Sequence, residues 1–321
     1  MTTHWTSHAL KVAISGLLLG VLFSRIEIAS IWSQVKIIDL GWLALATALM
    51  LLQVIVSSLR WGAVLGAIGA RMPLGTLTRI TFLSLFFNLA LPASVGGDAV
   101  RVWQSSRRGL ALSTALNGVL LERVASVVGT VLLLVATHPL LRMRVPSGPV
   151  RWVIAAGLGA ALGGLTLLML IDRLPASWQR WAPVQGGFRL ARDARALFLR
   201  PRQSGIVLGL SVAGQLNLAA VAYLLAIGLR APVSLLDAVL LMPLVVLVSS
   251  LPISFSGWGV REGAMVVALG LVGVPSAPAM LLSILLGLVS AAVSLGGGIV
   301  WWFDRESLPL SVSKVPPTPH P

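Results

Sequence analysis

The chain has no cysteine among its 321 residues and only ten acidic ones. Disulfides, thiolate catalysis and cysteine-based metal sites are therefore excluded, while the redox compartment stays open. Charge of either sign is scarce, at 11% of residues, where a soluble globular domain carries about 25%. Also missing are a Walker-type phosphate loop, a dinucleotide glycine fingerprint after a strand, and HExxH or paired-carboxylate metal spacing. ATP-driven and nicotinamide chemistry thus have no visible home, and no cofactor or metal is expected.

What is present is apolar. Hydrophobic residues make up 57% of the chain and mean hydropathy is positive, which predicts a polytopic membrane protein. Full spans are expected at Val12–Phe23, Leu40–Leu59, Leu112–Val135, Val150–Ile171, Ser204–Leu229 and Ala277–Trp302. Val12–Phe23 resembles a signal-peptide core, but no small-residue cleavage site follows, so it reads as a short uncleaved span. Runs of this length suit helices rather than barrel strands.

A net charge of +14 does not point to nucleic acid, because the basic residues are dispersed through loops and are not interleaved with exposed aromatics. With a cytoplasmic amino terminus, sixteen basic residues, Arg60 and Arg101 among them, fall on the cytoplasmic side and six on the other. Arg123 and Arg261 are left at membrane depth. This bias places both termini in the cytoplasm, where anionic lipid headgroups are the first partner such a surface meets.

The chain echoes itself. AIGARMP at Ala67–Pro73 returns as AIGLRAP at Ala226–Pro232, with five of seven positions identical. LPASVGGDAVR at Leu91–Arg101 returns as LPISFSGWGVR at Leu251–Arg261, with six of eleven identical. The offsets are 159 and 160, which indicates an internal duplication. The segments leading into the two LPxS motifs, Ile80–Leu91 and Ala238–Leu251, fall short of the ~20 residues a full span needs. Proline removes a backbone donor and glycine relaxes the dihedrals, so each motif is expected to turn inside the membrane as a re-entrant hairpin.

The expected fold class is therefore an all-α polytopic membrane protein, with about six full transmembrane helices plus two re-entrant helical hairpins in an inverted internal repeat. One membrane domain covers 1–305, with repeats at about 40–135 and 204–302. The arginine-rich cytoplasmic linker 172–203 is expected to hold an amphipathic surface helix, and the proline-rich tail 306–321 to be disordered.

Read as helix starts, the two motifs form a candidate anion cradle. Pro92 and Pro252 break the chain beside Ser94 and Ser254, and Gly96, Gly97, Gly257 and Gly259 let backbone amides converge. Arg101 and Arg261 lie one turn inside the following helices, placed for a lipid phosphate. Asp98 is expected to cap its helix, and Glu262 to neutralise its neighbour. Glu122 and Arg123 are adjacent charges inside an apolar span, each costing about 2.5–3.5 kcal/mol on insertion scales, so each needs a partner or a cavity. Cross-pairs of Asp98 with Arg123, and of Glu122 with Arg101 or Arg261, are expected. A coupling proton on Glu122 is the functional alternative. Gln53, Gln215 and Asn217 suit interhelical hydrogen bonds, and Asn88, nearest the first motif, is the best site candidate of these polar residues.

NLALPASVGGDAVR, LLERVASVVG and LPISFSGWGVREGAMVVALGLVGVP resemble the transmembrane region of lysylphosphatidylglycerol synthase, the flippase-like domain family. With the spans between them, the resemblance covers nearly the whole chain. It implies an inner-membrane protein that moves, or helps to move, a lipid between leaflets. The family's aminoacyl-transfer domain has no counterpart in this sequence, so the synthase activity is not expected. Ser126 stands where an acidic residue would follow the Glu-Arg pair.

The sequence reading is thus a flippase-like transporter of an anionic or phosphate-bearing lipid, not an enzyme. One alternative is a membrane transferase acting on a lipid phosphate, with Asp98, Glu122 or Glu262 as base. Another is an accessory scaffold for lipid-synthesis enzymes, which would then be its protein partners.

Overall fold

The computed structural model describes residues 38–90, 96–144, 150–170, 182–250 and 259–304. The expected span Val12–Phe23, the motif residues Pro92, Ser94, Pro252, Ser254 and Gly257, and the tail 306–321 lie outside the described residues. Within them there are ten helices and no strand. In chain order these are α1 (Leu40–Ala67), α2 (Leu74–Ala90), α3 (Gly96–Arg107), α4 (Leu112–Arg144) and α5 (Val150–Leu170). Then come α6 (Ala182–Phe198), α7 (Pro201–Gly228), α8 (Leu235–Ser249), α9 (Val260–Gly270) and α10 (Ser276–Asp304). Among the described residues, α1, α4, α7 and Ser276–Phe303 of α10 are long and apolar enough to cross a membrane. The apolar α5 adds 21 residues.

Helix lengths recur in order. α1, α2, α3 and α4 have 28, 17, 12 and 33 residues, and α7, α8, α9 and α10 have 28, 15, 11 and 29. The repeated AIG sequence closes both leading helices in the same way. Ala70 N–H donates to the Leu65 carbonyl and Ala231 N–H to the Ala226 carbonyl, each at 2.9 Å, as in a helix end closed by a left-handed residue. That residue is Gly69 (φ 83°) in the first copy but Arg230 (φ 52°) in the second, two positions beyond the matching Gly228.

Packing fixes which ends lie together. α1 runs antiparallel along α7, with Asp39 N–H donating to the Gly228 carbonyl at 3.2 Å. Across that seam, Asn217 Nδ2 donates to Gln53 Oε1 at 2.9 Å and to the Leu49 carbonyl at 3.0 Å. Gln215 Nε2 donates to Thr130 Oγ1 at 2.7 Å and ties α7 to α4. These bonds are the helix-joining contacts expected of Gln53, Gln215 and Asn217. α2 packs on α10 as α8 packs on α4. The α2–α10 approach is backbone to backbone, since a Cβ at Gly297 would run into the Phe82 carbonyl.

At one end of the bundle, Ala67 of α1, Leu121 of α4, Leu197 of α6 and Val207 of α7 share a buried cluster. α2 starts at this end. At the other end, Arg144 Nη1 lies 3.8 Å from Asp237 Oδ1, joining the finish of α4 to the start of α8. Ser234 and Asp237 cap α8 reciprocally, at 3.0 and 3.1 Å.

Two expected boundaries shift. α1 continues past Leu59 to Ala67, because Arg60 is buried and paired rather than solvated, and α4 continues past Val135 to Arg144. The linker's expected amphipathic helix is α6, yet its Ala191, Ala194 and Leu197 are fully buried against the bundle. Asn117 Nδ2 donates to Asp193 Oδ2 at 2.6 Å and pins α6 to α4. α6 is docked on protein.

Candidate functional site

The site is built on the clasp between α2 and α3. Asn88 Oδ1 accepts from Gly97 N–H at 2.8 Å, supplying an acceptor that the start of α3 needs. A Cβ at Gly97 would collide with the Ser84 carbonyl and the Asn88 amide, so glycine is what permits this approach. Asp98, expected to cap α3, lies inside its first turn and is ion-paired instead.

From α3, Arg101 projects to α4, where Glu122 receives two arginines. Arg101 Nη1 donates to Glu122 Oε2 at 3.0 Å, while Arg60 of α1 donates from Nε to Oε1 at 2.8 Å and from Nη2 to the same oxygen. Glu122, Arg60 and Arg101 are 4%, 7% and 8% exposed. A buried carboxylate held by two guanidiniums satisfies its partners only while all three remain. The Arg101 guanidinium also lies 4.3 Å from the centre of the buried Trp61 ring, a cation–π contact. Arg123 pairs with Asp98, whose other oxygen is 3.8 Å from Arg101 Nη1. Both cross-pairs, Asp98 with Arg123 and Glu122 with Arg101, are present.

These five charged residues line one cavity of about 270 Å³. Asn88 and several hydroxyls complete its polar wall, and Val246, Leu247 and Ser250 at the end of α8 bring in the second half of the chain. Its size, just below the ~300–1,000 Å³ of typical ligand pockets, suits a headgroup rather than a whole lipid.

A model of the family described as Lysylphosphatidylglycerol synthase TM region matches residues 8–298. The chain belongs to this family. The match spans every residue of the cavity and both LPxS motifs, and with the apolar helices it makes the chain a multi-pass membrane protein of a lipid-handling family. No curated protein matches it.

This member of the lysylphosphatidylglycerol synthase TM region family holds its second motif differently. Gly259 precedes α9 at φ 84°, a conformation that favours glycine, and its N–H donates to Glu262 Oε2 at 2.6 Å. Arg261 donates to Glu262 Oε1 from Nε at 3.1 Å and from Nη2 at 2.6 Å, and Ser283 of α10 joins them at 3.3 Å. Glu262 is fully buried, and neither it nor Arg261 lines the cavity. Arg261 therefore meets Glu262 and not Glu122. Ser283 occupies, relative to Arg261, nearly the place that Glu122 occupies relative to Arg101, so the second half keeps its acid beside the arginine instead of on the following long helix.

Arg60 is the site residue that the sequence reading leaves among the cytoplasmic charges. The signal was the apolar run WGAVLGAIGA directly after it, which continues the helix beyond the charge. With the buried Arg60 and Arg101 left out, the charge bias expected from the sequence falls from sixteen against six to fourteen against six.

Proposed function

We propose that the chain is a flippase-like transporter in which the cavity between α1, α2, α3, α4 and the end of α8 holds a phosphate-bearing lipid headgroup during passage between leaflets, the acyl tails staying in the bilayer. The observation that carries this reading is the cluster of Arg60, Arg101 and Arg123 against Glu122 and Asp98 lining a headgroup-sized cavity inside an apolar bundle. Intramembrane charges of this kind face a substrate path or one another, and guanidiniums match phosphate oxygens in bidentate geometry.

The architecture that goes with it has six spans, two re-entrant hairpins and an inverted repeat, in an inner membrane with both termini cytoplasmic. The recurrence of helix lengths supports the duplication. The start of α2 beside the α6 end, and of α8 beside Arg144 at the other end, supports the inversion.

The test is reconstitution of the purified protein into vesicles containing a fluorescent phospholipid whose outer-leaflet fraction is bleached by an impermeant reductant. Bleaching is expected to proceed beyond the outer leaflet in protein-containing vesicles and to stop at about half in protein-free ones. Chemical conversion of the lipid without flipping would replace the transporter with a transferase. Neither flipping nor conversion would leave a scaffold role beside lipid-synthesis enzymes.

A further inference from the structure

The cavity carries a surplus of positive charge. Three guanidiniums, of Arg60, Arg101 and Arg123, line it with two carboxylates, of Asp98 and Glu122, and each carboxylate is already held by arginine. The motif stretches adjoining α3 and α8, residues 91–95 and 251–258, contain no charged residue that could reverse this balance. An ammonium group entering the cavity would face like charge, whereas a phosphate would complete the count.

The remaining polar wall is made of hydroxyls. Ser57, Ser84 and Ser126 line the cavity without a side-chain hydrogen-bond partner among the described residues. Arg101, itself more than nine-tenths buried, has an Nε donor with no acceptor among them. A buried donor without a partner carries a desolvation penalty, so such groups point to a ligand that supplies oxygens. A serine hydroxyl both donates and accepts, which suits a hydroxyl-bearing headgroup; it cannot neutralise an ammonium.

We propose that this cavity selects lipid headgroups that combine one phosphate with hydroxyl groups and carry no ammonium. The inference rests on the reading of the cavity as a headgroup site and names its substrate class. Arg101 and Arg123 face the phosphate; Ser57, Ser84 and Ser126 face the hydroxyls. Ser126 is the position at which selectivity turns, because a carboxylate there would equalise the charges.

The experiment measures binding of the full chain in detergent micelles, by native mass spectrometry, to four lipids with identical tails. Phosphatidylglycerol and phosphatidylinositol carry phosphate and hydroxyls, phosphatidic acid carries phosphate alone, and phosphatidylcholine carries phosphate and an ammonium. The hydroxyl-bearing lipids are expected to bind at least tenfold more tightly than phosphatidylcholine and severalfold more tightly than phosphatidic acid. Ser126→Asp is expected to reduce the preference over phosphatidylcholine at least tenfold, whereas Ser126→Ala, which removes one hydroxyl and adds no charge, is expected to reduce it no more than severalfold. Equal binding of phosphatidylcholine would overturn the charge argument, and equal binding of phosphatidic acid the hydroxyl argument. Displacement of the lipids by an equal concentration of inorganic phosphate would show a phosphate site with no headgroup selection, and would overturn the proposal. The predicted order of binding without flipping in vesicles would remove transport and leave the selectivity standing; flipping without that order would do the reverse.

Discussion

Glu122→Gln is expected to destabilise the purified protein by about 3–5 kcal/mol, the usual consequence of deleting one partner of a buried ion pair. Arg60 and Arg101 converge on the two oxygens of Glu122, and all three are at least nine-tenths buried. Glutamine keeps an acceptor but no charge, so two guanidiniums would share a buried space without an anion. Thermal unfolding in detergent reads the effect as a lowered midpoint. The double variant with Arg60→Gln removes one surplus cation and should recover much of the loss, because the damage comes from imbalance more than from a missing hydrogen bond. An unchanged midpoint in the single variant would mean that the three side chains are not held together as described.

The second large effect is all-or-none. Since the chain has no cysteine, one introduced thiol is the whole labelling signal. Pro73→Cys and Pro232→Cys place it at sequence-equivalent, exposed positions just before α2 and α8. The proposed inverted repeat requires membrane-impermeant maleimide to reach Cys at 73 and Cys at 232 from opposite sides, and the proposed cytoplasmic termini make the side of Cys at 73 the cytoplasmic one. Labelling of both from one side would remove the inversion, and with it the pairing of the α8 start with Arg144 at the opposite end of the bundle.

Much of the frame was legible because it is written in local chemistry. Proline and glycine at 92, 96 and 97 mark the break before α3, and the echo at 252, 257 and 259 marks the one before α9. The pairing of Asp98 with Arg123 and Glu122 with Arg101 was legible because a charge in an apolar span must find an opposite charge. Arg60 was not, because an arginine at the end of an apolar run reads as the membrane boundary; only the tertiary partner Glu122 keeps it inside. Asp98 next to two glycines suggests a cap, but the acceptor came from Asn88 on the preceding helix, nine residues away. Arg261 and Glu262 pair although neighbours on a helix diverge by about 100°. Their position in the first turn of α9 lets Glu262 fold back to the Gly259 N–H while the long arginine reaches round to it.

The cavity also separates the two motif arginines, which the sequence makes look equivalent. Arg101 lines it with Arg60 and Arg123, whereas Arg261 is tied to Glu262 and Ser283. The proposed phosphate contacts accordingly belong to the first half, with the second contributing the wall at Val246, Leu247 and Ser250.

Passage of a lipid phosphate through the cavity is tested by the flipping rate of a phosphatidylglycerol reporter in vesicles holding equal amounts of wild type, Arg123→Gln or Arg192→Gln. Arg123 lines the cavity with its side chain 52% exposed, so its loss removes the proposed phosphate contact with little cost in folding, while Arg192 is an exposed arginine on α6 away from the cavity. At least a tenfold slower rate is expected for Arg123→Gln, about 1.4 kcal/mol of lost interaction, and a wild-type rate for Arg192→Gln. Equal rates for all three proteins would mean that the cavity does not hold the lipid phosphate during passage.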